Sequence, residues 1–573
     1  MSQPRLTGIP VSPGLAIGTA VLVETVDVDR SGRTISAAET ATELARFDAS
    51  VLSASQELRE LQADLVAKVG EDEASIFEAQ RMMLEDPAIR ESVENHVVED
   101  LVSAERAAVL ACEEQAKILE GIDDPYLAAR ALDLRDIGKR LVKILSGGHG
   151  KGIPKELPAD AIIVASDLAP SDTASLNVEK VVAIVLDKGG RTSHTAILAR
   201  SLGIPAVVAT GEATSVIHEG DLVAVDGESG LVTVNPGDQG LLELRAQARA
   251  FAENRERLAL LKDLPAVTLD GKMVELAANI GNVGDADAAI RAGAEGVGLF
   301  RTEFLFIDRD TMPSEEEQFE ACKKVLSAFK PRPVVIRTLD IGGDKEIPYL
   351  NLPKEDNPFL GLRAIRLCLD RRDIFRTQLR ALLRASVYGN MRIMFPMISN
   401  LGELREAKGE LEKARAELLS EGVRVASGIQ VGIMVEIPAA AVDADILAPE
   451  CDFFSIGTND LVQYTMACDR GNPKIAYLSE PFTPAVLRLI GRTIDEGHKQ
   501  GIWVGMCGEM AGMPEAIPLL LAMGLDEFSM SAGAVPRAKE TIRSLSFGDL
   551  SSVWDKVKRM GTAAEIKEYI KTI

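Results

Sequence analysis

Charged side chains close several strand-like runs in the C-terminal half of the chain. Arg301 and Arg337 follow two such runs, Glu436 ends another, and Asn459-Asp460 follows a fourth. Arginine offers a planar, permanently charged fork that fits phosphate and carboxylate oxygens. Two carboxylates can hold a hard cation such as Mg²⁺, which keeps open positions for a substrate. With Arg470 added, these residue types predict a metal-assisted site for a small molecule that carries both phosphate and carboxylate groups.

Two further residues could take part in proton or group transfer. Cys507 follows another strand-like run and could donate a proton, although a thiol in such a place is more often a buried apolar residue. His194 follows a strand and a Gly-Gly turn and precedes a helix-forming run. A helix N-terminus disfavours a proton on imidazole, and a neutral ring is what a nitrogen nucleophile requires. Considered alone, His194 would more simply be a structural or capping residue.

The elements that must position these residues alternate between strand and helix from about residue 268 onward. The strand-like runs are 274–280, 296–306, 334–339, 392–397, 432–437, 452–456, 503–506 and 527–530. Eight such units in about 300 residues predict a (β/α)₈ TIM barrel. Chemistry in such barrels lies at the C-terminal ends of the strands, which is where the charged residues stand.

The N-terminal half has strand signals on both sides of a helical stretch. Short β-branched runs occur up to Val23 and again between residues 161 and 225. Between them, apolar residues from Leu44 to Leu65 recur at spacings of three and four, which is typical of an amphipathic helix. We therefore predict a multidomain α/β protein in which a helical bundle is inserted into a small α/β domain. The predicted segments are the α/β domain (1–34 and 147–235), the helical insert (35–146), a linker helix (236–265) and the barrel (266–573).

Composition limits the classes of function. No stretch approaches the ~18 consecutive apolar residues of a membrane span. The first residues lack the basic segment followed by an apolar one that is typical of a secretory signal, so we predict none. Six scattered cysteines without a C-x-x-C pair favour a reducing cytoplasm over a disulfide framework or zinc site. The net charge of −24 disfavours nucleic-acid binding. Residues 36–147 hold 24 Asp and Glu against 12 Lys and Arg, which fits a solvated helical surface or a face for a basic partner.

Several segments closely resemble one known family. The chain is similar from end to end to enzyme I of the bacterial phosphotransferase system, the phosphoenolpyruvate–protein phosphotransferases. The resemblance rests on Gly-Gly-Arg-Thr-Ser-His at 189–194 and on segments 298–306, 337–345, 357–366, 454–461 and 505–509. It implies that phosphate passes from phosphoenolpyruvate to the protein's own histidine and then to a histidine of a small phosphocarrier protein, the first step of sugar uptake.

The resemblance also assigns roles to individual residues. It implies that His194 is phosphorylated through Nε2, with Thr173 as a possible hydrogen-bond partner, and that Cys507 protonates enolpyruvate. Mg²⁺ would lie on Glu436 and Asp460. Phosphoenolpyruvate would be held by Arg301, Arg337, Arg470 and the backbone of Asn459-Asp460.

The same resemblance implies partners and a motion. The acidic helical insert would dock the histidine-containing carrier, an HPr-like protein, and the barrel would form a homodimer. One histidine serving two distant sites requires a rigid-body swing about the linkers near residues 235–265. The short start before Leu6 favours the sugar-transport branch over the nitrogen-related one.

Two other functions are compatible with parts of this pattern. Dikinases and synthases that phosphorylate pyruvate with ATP share the histidine domain and barrel, but they need a nucleotide-grasping domain, and the sequence has no P-loop pattern. A catalytically silent regulator that only binds the carrier is the second alternative. The full set of charged strand-end residues argues against it.

Overall fold

The chain folds into two units. The computed structural model describes residues 4–23, 33–69, 71–121, 125–147, 153–154, 156–168, 172–173, 176–177, 179–190, 193–307, 309, 311–342, 347–350, 352–470, 472 and 474–573. The units are Met1–Asn254 and Arg255–Ile573. No helix in the described ranges combines the length and apolar character needed to cross a bilayer.

The first unit is organised around an eight-stranded mixed sheet. Its strands are β1 (Arg5–Thr7), β2 (Ile9–Ser12), β3 (Leu15–Val23), β4 (Ala161–Ala165), β5 (Val181–Leu186), β6 (Ala206–Val208), β7 (Leu222–Asp226) and β8 (Leu231–Val234). Their order is β1-β8-β7-β3-β4-β5-β6-β2, and β3 to β6 run parallel. Every residue of β4 is buried, as expected for a central strand covered on both faces. The sheet therefore joins strands from both ends of the unit.

Among the residues that the structure describes, five helices lie between β3 and β4 in the chain. They are α1 (Thr40–Val69), α2 (Glu71–Leu84), α3 (Pro87–Val98), α4 (Ala104–Glu120) and α5 (Pro125–Leu145). The apolar seam of α1 is buried at Phe47, Ala54 and Leu58 in a core that these helices share. Pro87 begins α3, and the preceding Asp86 side chain accepts a hydrogen bond of 2.8 Å from the Ala88 amide.

In the described residues, further helices of the first unit lead to the second. They are α6 (His194–Leu202), α7 (Ala213–Val216) and α8 (Asp238–Ala259). Barrel residues hold the segment at the end of α8: Lys539 Nζ donates to the Lys262 carbonyl over 3.1 Å, and Arg543 donates to the Pro265 carbonyl over 2.7 Å. The segment after α8 is therefore fixed to the second unit.

The second unit is a closed barrel of eight parallel strands, as predicted. The strands are β9 (Glu275–Ile280), β10 (Gly296–Phe300), β11 (Pro333–Arg337), β12 (Asn390–Phe395), β13 (Gln430–Val435), β14 (Phe453–Ile456), β15 (Trp503–Met506) and β16 (Glu527–Met530). Seven of the predicted runs agree with these strands to within about two residues. The run 296–306 is too long, because β10 ends at Phe300 and Glu303–Leu305 forms a 3₁₀ turn.

Helices surround the barrel. They are α9 (Asp285–Arg291), α10 (Glu315–Phe329), α11 (Ile365–Asp370), α12 (Arg372–Ala385), α13 (Leu401–Ser420), α14 (Pro438–Val442), α15 (Ala444–Leu447), α16 (Thr458–Met466), α17 (Pro484–Lys499), α18 (Ile517–Met523), α19 (Val535–Ser544), α20 (Val553–Val557) and α21 (Ala563–Ile570). Inside the barrel, Leu299, Val335, Met394, Met434 and Phe453 form an apolar cluster with Cys507. This cluster supports the strand ends, where the predicted site lies.

A histidine at the end of α17 should make stability depend on pH. His498 Nε2 lies 2.7 Å from Asp526 Oδ2, and this hydrogen bond raises the pKa of His498 above its usual 6.5. The stabilisation is therefore present below pH 6.5 and is lost as pH rises through the raised pKa. We expect His498→Gln to lower the melting temperature by about 1–3 °C at pH 6 and by less at pH 8.5. Equal losses at both pH values, measured by calorimetry, would contradict this.

Candidate active site

The predicted barrel residues meet in one cavity of about 210 Å³. It lies at the C-terminal ends of the strands. Its lining includes Arg301, Arg337, Glu436, Asn459, Asp460, Arg470 and Cys507. The cavity thus brings together Arg470 and all the site residues that were predicted at strand ends. Its volume suits a small molecule.

Arg337 is held rigidly by two acids. Its Nη2 donates to Glu303 Oε1 over 2.9 Å, and its Nη1 lies 2.9 Å from Asp340 Oδ2. Burial alone would lower the pKa of Arg337, but the charges of Glu303 and Asp340 raise it above the usual value. The guanidinium is therefore a fixed positive charge in a buried place, which favours binding of an anion.

Arg363 is a cavity residue that the strand-end pattern did not single out. Its Nη2 donates to Asp340 Oδ1 over 2.9 Å and lies 3.6 Å from Asp460 Oδ2. Its Nη1 donates to the Tyr464 hydroxyl over 3.1 Å. Arg363 therefore links Asp340, which follows β11, to the acid at the start of α16. Arg301 and Arg470, in contrast, are exposed at the mouth.

Glu436 and Asp460 form a buried acidic pair. Glu436 Oε1 accepts from the Met397 amide over 2.7 Å, and Asp460 Oδ1 is buried without a partner among the described residues. Burial, then the charges of Asp460 and Asp340, raise the pKa of Glu436 to about 8. Two buried carboxylates that repel one another, one of which has an oxygen without a partner, have the chemistry of a site for a hard cation.

The pair does not make a complete metal cage by itself. In the part of the chain that the structure describes, no three His, Cys, Asp or Glu side chains group as metal ligands. Mg²⁺ is commonly bound by one or two carboxylates and completes its shell with water and substrate phosphate. The donor set therefore fits a cation that is shared with an anionic substrate.

Cys507 faces the cavity from inside the barrel. Burial raises the pKa of its thiol to about 12, so the thiol carries its proton at neutral pH. Asn279 Nδ2 donates to the Cys507 carbonyl over 2.9 Å, and Ser529 Oγ donates to Asn279 Oδ1 over 2.6 Å. The backbone that carries the thiol is thus held in place, and the group is suited to donating a proton.

Two loops of the site are joined by a pair of hydrogen bonds. Asn459 Nδ2 donates to Glu509 Oε1 over 3.2 Å, and the Glu509 amide donates to Asn459 Oδ1 over 3.1 Å. A Cβ on Gly508 would come within 1.8 Å of Thr458 Oγ1. Only glycine fits at position 508, because the loop after β15 packs directly against the first turn of α16.

His194 is the first residue of α6. Ser193 is its N-cap, and the Ser193 hydroxyl accepts from the Ala196 amide over 3.3 Å. Gly189 has a φ of +105°, which explains the glycine in the preceding turn. Thr173 is buried, and its Oγ1 lies 3.5 Å from the Oγ1 of Thr195, the residue that follows His194 in the chain. The side chain of His194 is outside the described part of the structure.

Comparisons with known proteins cover nearly the whole chain. Family models match residues 7–130 (PEP-utilising enzyme, N-terminal), 157–230 (PEP-utilising enzyme, mobile domain) and 255–547 (PEP-utilising enzyme, PEP-binding domain). Proteins named phosphoenolpyruvate-protein phosphotransferase are 50% identical in Geobacillus stearothermophilus and 49% in Bacillus sp. (strain S), each over 569 residues that cover 99% of this chain and 98% of the relative. The relative of that name in Bacillus subtilis (strain 168) is 48% identical over 571 residues, 99% of each chain.

Proposed function

The chain belongs to the phosphoenolpyruvate-protein phosphotransferases, enzymes that use phosphoenolpyruvate, and from this premise we propose how its own residues carry out the transfer. Phosphoenolpyruvate binds in the barrel cavity, His194 takes its phosphoryl group and pyruvate is released. The phosphohistidine then passes the group to a histidine of a small carrier protein. We assign this step to the start of sugar uptake.

The observation that carries the proposal is the charge arrangement of the cavity. A buried pair of acids, Glu436 and Asp460, faces the same volume as the guanidinium groups of Arg301, Arg337 and Arg470. A site with only arginines would bind any small anion. The added carboxylates would repel the substrate unless a cation lies between them, so the arrangement favours a metal-bridged phosphate ester.

The arginines position the substrate and neutralise its charge. Arg337, fixed by Glu303 and Asp340, would bind phosphoryl oxygens, and exposed Arg301 and Arg470 would close on the substrate from the mouth. Such groups stabilise the spread negative charge of phosphoryl transfer without covalent chemistry. Free amides in the first turn of α16, at Asn459-Asp460, would add donors for an anion.

Mg²⁺ is the cation that we propose for Glu436 and Asp460. When bound, it would neutralise phosphoryl oxygens and act as a Lewis acid. The unpartnered Asp460 Oδ1 and the raised pKa of Glu436 support this choice. Both carboxylates would bind the ion in their ionised forms.

Proton transfer completes the release of pyruvate. As the phosphorus–oxygen bond to the substrate breaks, enolpyruvate is left with its methylene carbon in the cavity. Cys507 Sγ gives its proton to that carbon, and the enolate becomes the ketone. A thiol that remains protonated at neutral pH, as burial ensures here, is suited to this role.

The remaining proposals concern partners and motion. Residues 36–147, with their excess of acids, would dock a carrier whose contact face is basic. His194 would travel between the carrier and the barrel by a swing of the α/β domain, and its pivot would lie before Arg257, because contacts to α19 hold the chain from there to Pro265.

We also propose a homodimer through the barrel, where exposed apolar side chains such as Leu360 and Tyr477 would become buried. A cytoplasmic location fits six free, buried cysteines.

Isotope exchange tests the function without a carrier. The protein, phosphoenolpyruvate, Mg²⁺ and carbon-labelled pyruvate are mixed, and label entering phosphoenolpyruvate is measured. We expect exchange that requires the divalent cation and needs no ATP. Exchange that depends on ATP would favour the dikinase alternative, and no exchange at all would favour the silent regulator.

A further inference from the structure

The hydroxyl of Tyr464 joins the long loop between β11 and α11 to helix α16. Tyr464 Oη donates to the Phe359 carbonyl over 2.6 Å, and it accepts a hydrogen bond of 3.1 Å from Arg363 Nη1. The described lining of the cavity includes Phe359 and Arg363 but not Tyr464. Tyr464 therefore contacts the site through two loop residues that line the cavity.

The backbone of this loop is strained beside the cavity. Ala364, which follows Arg363, has a φ of +52°, a value that alanine rarely adopts, and it is completely buried. Its amide donates to the Ile341 carbonyl over 3.0 Å. A Cβ on Gly342 would lie 2.6 Å from Arg363 Cβ, so the loop packs closely against the chain that follows β11. Such a backbone keeps its conformation only where the contacts around it are strong enough to hold it.

Asp340 holds Arg363 through the other terminal nitrogen of the guanidinium. Arg363 Nη2 donates to Asp340 Oδ1 over 2.9 Å and to Asp340 Oδ2 over 3.2 Å. Asp340 Oδ2 also lies 2.9 Å from Arg337 Nη1, so one carboxylate binds two arginines of the cavity. With the Tyr464 hydroxyl on Nη1 and Asp340 on Nη2, the Arg363 guanidinium is fixed through both terminal nitrogens.

Tyr464 and Asp460 lie on the same face of α16. They are four residues apart, which places their side chains about one helical turn from each other. Asp460 Oδ2 lies 3.6 Å from Arg363 Nη2, so Arg363 contacts both residues of the helix. Tyr464 thus aligns the loop with the helix that carries one of the two proposed metal ligands.

We propose that Tyr464 is a positioning residue that keeps loop 357–364 in its substrate-binding conformation in the free protein; this rests on the proposed function. A loop that is already ordered adds no ordering cost when the substrate binds. Without the hydroxyl, phosphoenolpyruvate must order Phe359 and Arg363 as it binds, so its affinity falls. The rate of transfer in the filled site changes little, because the same groups then surround the substrate.

Tyr464→Phe tests this role, because it removes the hydroxyl and keeps the ring. Binding of phosphoenolpyruvate in the presence of Mg²⁺ is measured by titration calorimetry in full-length protein that also carries His194→Gln, so that no phosphoryl transfer follows binding. We expect the Kd to rise about tenfold. In Tyr464→Phe alone, carbon exchange should need about ten times more phosphoenolpyruvate for half its maximal rate, while the maximal rate stays within about twofold.

Tyr349→Phe is the matched control. The Tyr349 hydroxyl donates to the Phe306 carbonyl over 2.7 Å, and Tyr349 is half-buried, as Tyr464 is. The described lining of the cavity includes neither Tyr349 nor Phe306. Tyr349→Phe therefore removes a similar hydrogen bond from the same unit, and a general loss of stability should appear in both variants. The Kd for phosphoenolpyruvate and the rate of carbon exchange should be unchanged in the control.

Three results would overturn the positioning role. They are an unchanged Kd in Tyr464→Phe, an equal rise of the Kd in both tyrosine variants, and a fall in the maximal exchange rate without a change in the Kd. The second would show a general loosening of the barrel, and the third a part in the chemical step. Failure of the proposed function is seen separately, because the protein with both tyrosines intact would then bind no phosphoenolpyruvate, or would bind it and exchange no carbon.

Discussion

Protein carrying His194→Gln is expected to form no phosphoenzyme from labelled phosphoenolpyruvate. Glutamine cannot act as a nitrogen nucleophile, and no other described group has the same setting at the start of α6. Carbon exchange between pyruvate and phosphoenolpyruvate should fall by about 10⁴-fold or more, because pyruvate forms only after the phosphoryl group has left the substrate. Phosphoenzyme is measured by acid-labile, base-stable label on the protein.

A second histidine of the same unit serves as the matched control. His218 has an exposed side chain beside Asp221, and His218→Gln should keep full labelling. The melting temperatures of both variants are measured beside the labelling, so that a loss of label through unfolding is recognised; His218→Gln should melt like the unaltered protein, since its side chain is exposed. Label that persists in His194→Gln, at the level of His218→Gln, would remove His194 from the mechanism and with it the proposed swing.

The barrel and most of its site could be predicted from sequence because parallel strands produce a simple pattern. Each buried strand reads as a short apolar run, and the first polar residue after it marks the end where chemistry gathers. Arg337 and Glu436 stand at such ends, and the structure brings them to one cavity. The buried face of α1 between Leu44 and Leu65 could also be predicted, because the spacing of the apolar residues alone decides which of them face the core.

The predicted end of β10 was wrong, because apolar residues after the strand were taken as part of it. The prediction extended the strand to residue 306, where Phe304, Leu305 and Phe306 form a second apolar segment after three polar residues. They instead form and follow a 3₁₀ turn, and Phe306 is fully buried in the barrel core. A short apolar segment can be buried in either conformation, so the sequence could not separate the two.

Contacts made by long loops could not be predicted either. Arg363 lies in the loop between β11 and α11, where no strand end or helix period fixes its direction. Its role depends on Asp340 and Asp460, which the fold brings within 2.9 Å and 3.6 Å. The burial of Glu527 at the start of β16 could not be predicted for a different reason: a glutamate at the start of a strand is expected on the surface unless Gly298 and Gly505 are known to face it.

Replacing the acidic pair should separate activity from stability. In Glu436→Gln and Asp460→Asn, we expect carbon exchange to fall roughly a thousandfold, because charge stabilisation worth several kcal/mol is lost with the cation. Affinity for Mn²⁺, measured by titration calorimetry with phosphoenolpyruvate present, should fall at least about tenfold. Asp445→Asn is the control, since Asp445 pairs with Arg492 on the surface and should bind and exchange normally.

Glu436→Gln should also be more stable than the unaltered protein at alkaline pH. Without a cation, the Glu436 carboxyl ionises at a pKa of about 8 in the folded state and 4.5 in the unfolded chain. Between these values the unfolded state binds fewer protons, so stability of the unaltered protein falls as pH rises. Glu436→Gln lacks this loss, and with chelator present its melting temperature should exceed that of the unaltered protein at pH 8 but not at pH 5. Mn²⁺ and phosphoenolpyruvate should close the gap by stabilising only the unaltered protein. If the variant melts lower at pH 8 as well, Glu436 is a structural acid that its neighbours already satisfy, and the cation must bind elsewhere.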